Sequence, residues 1–367
     1  MHITLVAGAR PNFIKLAPII WATQKAKANG NDISYTLIYT GSEKDVTVDD
    51  GLFDELEIPR PDIFLGVDCE SINELTGKVM AAFDQYLDAS STDTVIVCDD
   101  LASTMAVAIA SKKRGIRLAH LVAGTRSFDI SMPKEINRLV IDGLSDLMFT
   151  AGVSANSIAT REGAEQNKIY MVGNLLIDTL RHNFSRFRRP ECLEGIERYI
   201  VLTLNRKALI GDNDFLRNMV EAVEAAAKSA AESAANDSAA GAIPVIAPLR
   251  PLAAKAIAPL LSPTSPIKII ESLPYLEFGY LTSHAAGIIT DSGNVAEEAT
   301  FNAIPCITLN DYTEHIETVT VGSNLLVGSD TCRLSAALGD IIAGKWKRSA
   351  IPDRWDGRTA ERILQIL

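Results

Sequence analysis

Short β-branched apolar runs alternate with longer amphipathic or alanine-rich stretches along almost the whole chain. Few folds accommodate that rhythm. In the first half, 2–7 (HITLVA), 34–39 (SYTLIY), 94–98 (TVIVC), 117–121 (RLAHL) and 147–150 (LMFT) read as strands, each followed by a segment of helical length. Repeated strand–helix–strand order predicts an α/β fold, a parallel sheet wound on both faces by helices. A charged stretch at 181–198, with Arg-Arg-Pro in its middle, reads as the passage between domains. The alternation then restarts at 199–204 (YIVLTL), 244–247 (PVIA), 267–270 (IKII), 286–290 (AGIIT) and 304–308 (IPCIT). The alanine-rich 221–241 is read as a surface helix, and no short-period repeat is found. Two Rossmann-like doubly wound domains are therefore expected, 1–180 and 199–350. A ligand cleft is expected between them at the carboxyl ends of the strands.

A length of 367 residues suits two domains of ordinary size. A net charge of −11 argues against a nucleic-acid surface, which needs clustered positive charge. It leaves room for small anions, since one arginine or helix end can bind them. The five cysteines have no paired spacing, which fits reduced thiols rather than a disulfide frame or a zinc site, and Cys98 and Cys306 lie in apolar runs expected to be core. No run approaches membrane-spanning length and the N-terminal apolar run is too short for a signal peptide, so a cytoplasmic protein without membrane insertion is expected. No G-x-G-x-x-G follows any strand, which disfavours a dehydrogenase. No cofactor and no metal are expected.

Chemistry should sit in the loops that leave the strands. In Gly8-Ala9-Arg10-Pro11-Asn12-Phe13-Ile14-Lys15, Arg10 can grip a phosphate or carboxylate with a forked pair of hydrogen bonds, and Lys15 follows near the helix start. Both could equally be solvated. Asp99 and Asp100 end the fourth candidate strand; Asp99 is expected to cap the next helix, and Asp100 to be a cap or a general acid or base. The loop from Val122 through Asp129 runs into a helix opened by Pro133, with Glu135, Asn137 and Arg138 in its first turns. In the second half, ITDSGNVAEEA passes from strand to helix through Asp291, Ser292 and Gly293. Ser292 can cap that helix or donate to a phosphate, Gly293 lets the backbone come close, and one of Glu297 and Glu298 could accept from a ribose diol. An ordinary capped helix with two solvated acids accounts for the same residues. Leu204-Asn205-Arg206-Lys207-Ala208 and the loop carrying His315 complete the set.

The spacing of these loops resembles the non-hydrolysing UDP-N-acetylglucosamine 2-epimerases. GARPNFIKLAP resembles their GTRPE-x-IK-x-AP opening. YTGSEKD, CDDLAST, HLVAGTRS, MPKEINR, VGNLLIDTL, LPYLEF, ITDSGNVAEEA, LNDYTEHIE and DGRTAERI continue the match in order. The resemblance implies two domains of the GT-B arrangement, with 351–367 returning to the first. It implies UDP held mainly by the second domain, and a homodimer. Ser292 and Gly293 would hold the diphosphate, Glu298 the ribose, Phe278 would lie near the uracil, and Asn294 would belong to the UDP-binding set. Arg10, Lys15, Arg138 and His315 would complete the binding set. The implied reaction is C2 epimerisation of a UDP-N-acetylhexosamine by elimination and re-addition of UDP, which demands positioned acid and base groups.

Several family positions differ here. Val122 and Lys134 stand where the family has glutamates, Asn205 where it has a histidine, Asn294 where it has a glycine and His315 where it has an arginine. Thr40-Gly41-Ser42-Glu43 replaces its TGQH. Valine moves no proton, and asparagine is no general acid near neutral pH. Asp100, Asp129 and Glu135 remain as candidate catalytic carboxylates, with Asn205 beside them as a hydrogen-bonding group. A GT-B glycosyltransferase, needing UDP as leaving group and at most one base, is the alternative; a non-catalytic nucleotide-sugar binder is the third reading.

Overall fold

The computed structural model describes residues 1–233 and 242–367. They form two compact units, Met1–Asn183 with Asp353–Leu367, and Phe184–Pro352.

The first unit is a seven-stranded parallel sheet: β1 (His2–Ala7), β2 (Ser34–Tyr39), β3 (Ile63–Phe64), β4 (Thr94–Cys98), β5 (Arg117–Leu121), β6 (Leu147–Thr150) and β7 (Ile169–Met171). Their order is β3-β2-β1-β4-β5-β6-β7, so the chain winds outward from β1 in one direction, then restarts beside it at β4. All five residues of β4 are buried, as a strand covered on both faces requires. Val6, Val95, Val97 and Leu118 pack on one face against Phe83, Val107 and Ile141 from the helices Ile72–Ala89, Ala102–Lys113 and Pro133–Leu144. The segment from Asp353 completes this unit. Trp355 is 1% exposed and donates from Nε1 to the Ala151 carbonyl at 2.9 Å, and Asp178 Oδ2 accepts from Ala360 N at 2.8 Å at the start of the helix Thr359–Ile366. Gly173, at φ +113°, leaves room for this segment, because a Cβ there would collide with the Arg354 carbonyl.

The second unit carries six parallel strands: β8 (Ile200–Leu202), β9 (Val245–Pro248), β10 (Ile267–Ile270), β11 (Gly287–Thr290), β12 (Cys306–Thr308) and β13 (Asn324–Leu326). Their order, β10-β9-β8-β11-β12-β13, repeats the plan of the first sheet. Alternate residues of each strand serve opposite cores. Ile200, Leu202, Val245, Ala247, Ile289 and Ile307 share one, while Val201, Ile246, Ile288 and Cys306 share the other. Side chains of a strand point alternately to the two faces, so both faces are covered, as the doubly wound expectation requires. Burying each of the valine, leucine and isoleucine side chains among them stabilises the fold by about 1.5–3 kcal/mol.

Cys98 and Cys306 are buried, in line with their apolar surroundings. The stretch 221–233 belongs to the helix Asn213–Ser233, while 234–241 lies outside the described residues. No helix among the described residues is long and apolar enough to cross a membrane.

Candidate active site

In a doubly wound sheet the strand order reverses at one point, and loops diverge there to leave a crevice at the carboxyl ends of the strands. The first unit reverses between β1 and β4, the second between β8 and β11. Most of the singled-out polar residues leave these four strands or their neighbours.

At the first reversal, Gly8 is required because a Cβ would collide with the Ser103 side chain. The chain then enters the helix Arg10–Ala28. Asn12 Oδ1 accepts from the amides of Gly8 at 2.8 Å and Ala9 at 3.1 Å, holding the turn closed. Lys15 Nζ donates to Asp99 Oδ1 at 2.6 Å, and Asn12 Nδ2 donates to Asp99 Oδ2 at 2.8 Å. Arg10 Nη1 donates to the Thr47 carbonyl at 3.3 Å and lies 3.7 Å from Asp49 Oδ2. Asp99 is therefore no helix cap, contrary to the sequence expectation. The helix begins at Ala102 behind Leu101, without a side-chain cap, and Asp99 sits at φ +61° with its carboxylate turned to Lys15 and Asn12. The Asp99 carbonyl accepts from His120 Nε2 at 3.1 Å, while His120 Nδ1 is 2.6 Å from Asp142 Oδ1. Both ring nitrogens therefore face oxygen atoms of the surrounding fold. Burial alone would raise the Asp142 carboxyl, but His120 and then Arg126, at 2.7 Å, hold it below the usual carboxylate range.

Asp100 lies at the centre of a second cluster. Arg138 reaches its Oδ2 from Nε at 2.9 Å and Nη2 at 2.5 Å, and Lys134 Nζ is 3.2 Å from Oδ1. Burial pushes the Asp100 carboxyl up, but Lys134 and Arg138 outweigh it and keep the group ionised. Asn137 donates to the Asp100 carbonyl at 2.8 Å. The family glutamate at position 134 would repel Asp100, whereas lysine pairs with it. Glu135 is buried and holds its own loop: Oε2 accepts from Ser127 N and Oγ, both at 2.9 Å, Oε1 from Phe128 N at 3.0 Å, and Arg138 Nη1 lies 3.0 Å from Oε2. Burial raises its carboxyl, but the Ser127 and Phe128 hydrogen bonds, then Arg138, bring it below the usual value. Asp129 stands apart. It is exposed, and its Oδ1 accepts from Ser131 N at 3.0 Å and Oγ at 2.6 Å in a local turn. Val122 occupies a left-handed conformation, φ +65°, that a β-branched residue rarely adopts.

At the second reversal, Asp291 ties the two loops. Its Oδ2 accepts from the amides of Asn205 at 2.7 Å and Arg206 at 2.6 Å, and its Oδ1 is buried without a partner among the described residues. Asn310 accepts from Arg206 Nη1 and donates to the Asp291 carbonyl at 3.1 Å. Ser292 caps the helix Gly293–Phe301 by accepting from Val295 N at 3.5 Å. A Cβ on Gly293 would meet only Glu297 Oε1, at 4.0 Å, so internal packing does not demand glycine there. Asn294 is half-buried in the first turn, and Asn205 is exposed on the other loop. Glu298 is buried; burial, then the Glu297 charge, lifts its carboxyl to about 8. Glu297 Oε1 is 3.6 Å from His315 Nε2, both side chains being buried. Phe278, on the helix Tyr275–Ser283, is half-buried against the core behind β11.

Asn12, Asp99, His120 and Asp291 are organising residues that the sequence reading did not assign to the site. A strand-end acid with no cap to make, and a histidine inside a buried apolar strand, were the available signals.

Two Rossmann-like sheets, each with a polar constellation at its reversal point, define a protein of the GT-B type. Residues 25–367 match the family described as UDP-N-acetylglucosamine 2-epimerase, and the chain belongs to it. It is 34% identical over 379 residues to the UDP-N-acetylglucosamine 2-epimerase of Methanocaldococcus jannaschii, covering 100% of this chain and 99% of that one. A crystal structure of that enzyme in complex with UDP-GlcNAc and UDP superposes with a TM-score of 0.83 at 33% identity, over 100% of this chain and 99% of that one. The UDP-2,3-diacetamido-2,3-dideoxy-D-glucuronate 2-epimerase of Pseudomonas aeruginosa is 32% identical over 331 residues, 90% of this chain and 89% of that protein.

Proposed function

We propose that the chain epimerises C2 of a UDP-N-acetylhexosamine, interconverting UDP-N-acetylglucosamine and UDP-N-acetylmannosamine. One observation carries the reading beyond family membership: a single carboxylate, Asp100, kept ionised at a strand end by Arg138 and Lys134. In this scheme Asp100 takes the C2 proton, the C1–O bond breaks with its electron pair leaving on UDP, and UDP re-adds after C2 is reprotonated from the other face. Ser292, Gly293 and Asn294 receive the diphosphate at a helix start, where spare amides and the dipole favour an anion. Glu298 takes the ribose, Phe278 neighbours the uracil, and Arg10, Lys15, Arg138 and His315 complete the binding set. Glu135 positions the Ser127–Phe128 loop, Asn205 contributes hydrogen bonds only, and Asp129, exposed in a turn, is a weaker candidate for proton transfer.

Proton exchange tests this directly. In D2O the chain should place deuterium at C2 of UDP-N-acetylglucosamine, read by NMR, and Asp100→Asn should slow that by about 10²–10⁴-fold. A wild-type protein that binds UDP yet exchanges nothing at C2 sinks the epimerase reading. The non-titratable Val122 and Asn205 favour a second one, glycosyl transfer with Asp100 as sole base, in which UDP appears only when an acceptor is supplied. We also place the protein in the cytoplasm as a homodimer, which sedimentation equilibrium would test.

A further inference from the structure

The cations that the resemblance directs at the diphosphate already have anionic or acceptor partners in the first unit. Arg10 faces Asp49 and the Thr47 carbonyl, and the amides of Gly8 and Ala9 are taken by Asn12. The tightest contact is Lys15 Nζ on Asp99 Oδ1 at 2.6 Å, with side chains only 7% and 17% exposed. Asp99 holds this place at a conformational disadvantage. Its φ of +61° is one that residues other than glycine adopt at a cost of roughly 1 kcal/mol or more. Lys15 and Asn12 on its carboxylate, His120 Nε2 on its carbonyl, and its own amide on the Leu121 carbonyl hold it there. A left-handed carboxylate fastened at the reversal point, aimed at a buried ammonium, does no capping and belongs to no assigned step.

The geometry points to Asp99 as a built-in competitor for Lys15, an intramolecular anion that an incoming diphosphate must displace or tolerate. This rests on the reading that Lys15 meets the diphosphate of a UDP-sugar. The pair then sets how tightly the nucleotide is held and how strongly Lys15 helps UDP to leave. The carboxylate opposes the ligand through Lys15: it occupies the ammonium's hydrogen bonds and offsets its charge.

Titration calorimetry with UDP on the full chain tests this. Asp99→Asn removes the charge; Asp99→Gly also relieves the left-handed backbone. Both should bind UDP about threefold to tenfold more tightly than wild type, the span expected for one partly screened ion pair. In a Lys15→Met background, Asp99→Asn should bring no such gain. Thermal melts of each variant confirm folding, and the glycine variant keeps the test open if the asparagine variant folds poorly. Equal or weaker UDP binding by the Asp99 variants, or an equal gain without Lys15, overturns the inference while the UDP reading stands. Absence of UDP binding from wild type and every variant overturns both.

Discussion

Replacing Glu298 by glutamine should stabilise the second unit, by an amount that grows with pH. Burial, then the neighbouring Glu297 charge, lifts this carboxyl from 4.5 to about 8. Between those values the folded protein keeps a proton that the unfolded chain releases. The stability of the wild type is therefore fully present below the lower value and falls as pH rises towards the upper one. Each pH unit in that window is worth about 1.4 kcal/mol, which makes the deficit about 3 kcal/mol at pH 7 and about 1.4 kcal/mol at pH 5.5. Glutamine has the same shape and never ionises, so Glu298→Gln recovers both amounts. In a unit of this size about 1 kcal/mol moves the melting midpoint by roughly 2–4 °C. The variant should then melt roughly 6–12 °C higher at pH 7 and only about 3–6 °C higher at pH 5.5. Circular-dichroism melts of the ligand-free protein at the two pH values provide the readout. A gain of the same size at both, or a lower midpoint at pH 7, refutes the reasoning.

UDP should reverse the sign of that substitution. Ribose hydroxyls donate best to an ionised carboxylate, so binding to wild type should release a proton at pH 7, seen by calorimetry in buffers of different ionisation enthalpy, and Glu298→Gln should bind more weakly. Asp142→Asn leaves His120 and Arg126 buried with one anion fewer and should destabilise the first unit by about 3–5 kcal/mol. The Asp142 carboxyl is depressed below its usual 3.8, so its contribution is present above that value and lost as pH falls through the folded one; acid unfolding followed by circular dichroism should be shallower in the variant. Gly173→Ala, which drives a Cβ into the Arg354 carbonyl from a left-handed backbone, should loosen the Asp353–Leu367 segment and hasten its cleavage in limited proteolysis.

The fold is legible in the sequence wherever burial writes a continuous apolar run. TVIVC at β4 coincides with its strand, because a strand covered on both faces has no polar positions to blur it; IKII at β10 also coincides, its run of isoleucines carrying the signal past the exposed Lys268. The strands β3, β7 and β13, of two or three residues each, escape because so few side chains carry no period. Ser292 is readable as a helix cap because strand, cap and helix are consecutive. Asp99 is misread for the opposite reason. The capping rule looks a few residues ahead, whereas its carboxylate reaches a lysine 84 positions earlier in the chain. Glu135 and Asp129 look alike as loop acids, and only the fold separates the buried clamp from the exposed turn.

The closing segment has a consequence for how the protein is made. Trp355 and the Thr359–Ile366 helix finish the first unit, yet they leave the ribosome only after the whole second unit. Synthesis exposes the beginning of a chain first, so the amino-terminal sheet must wait, with the Trp355 and Ala360 docking places empty, until translation of the other unit is over. A ribosome stalled anywhere before Asp353 would display a half still lacking this piece, a natural target for chaperones.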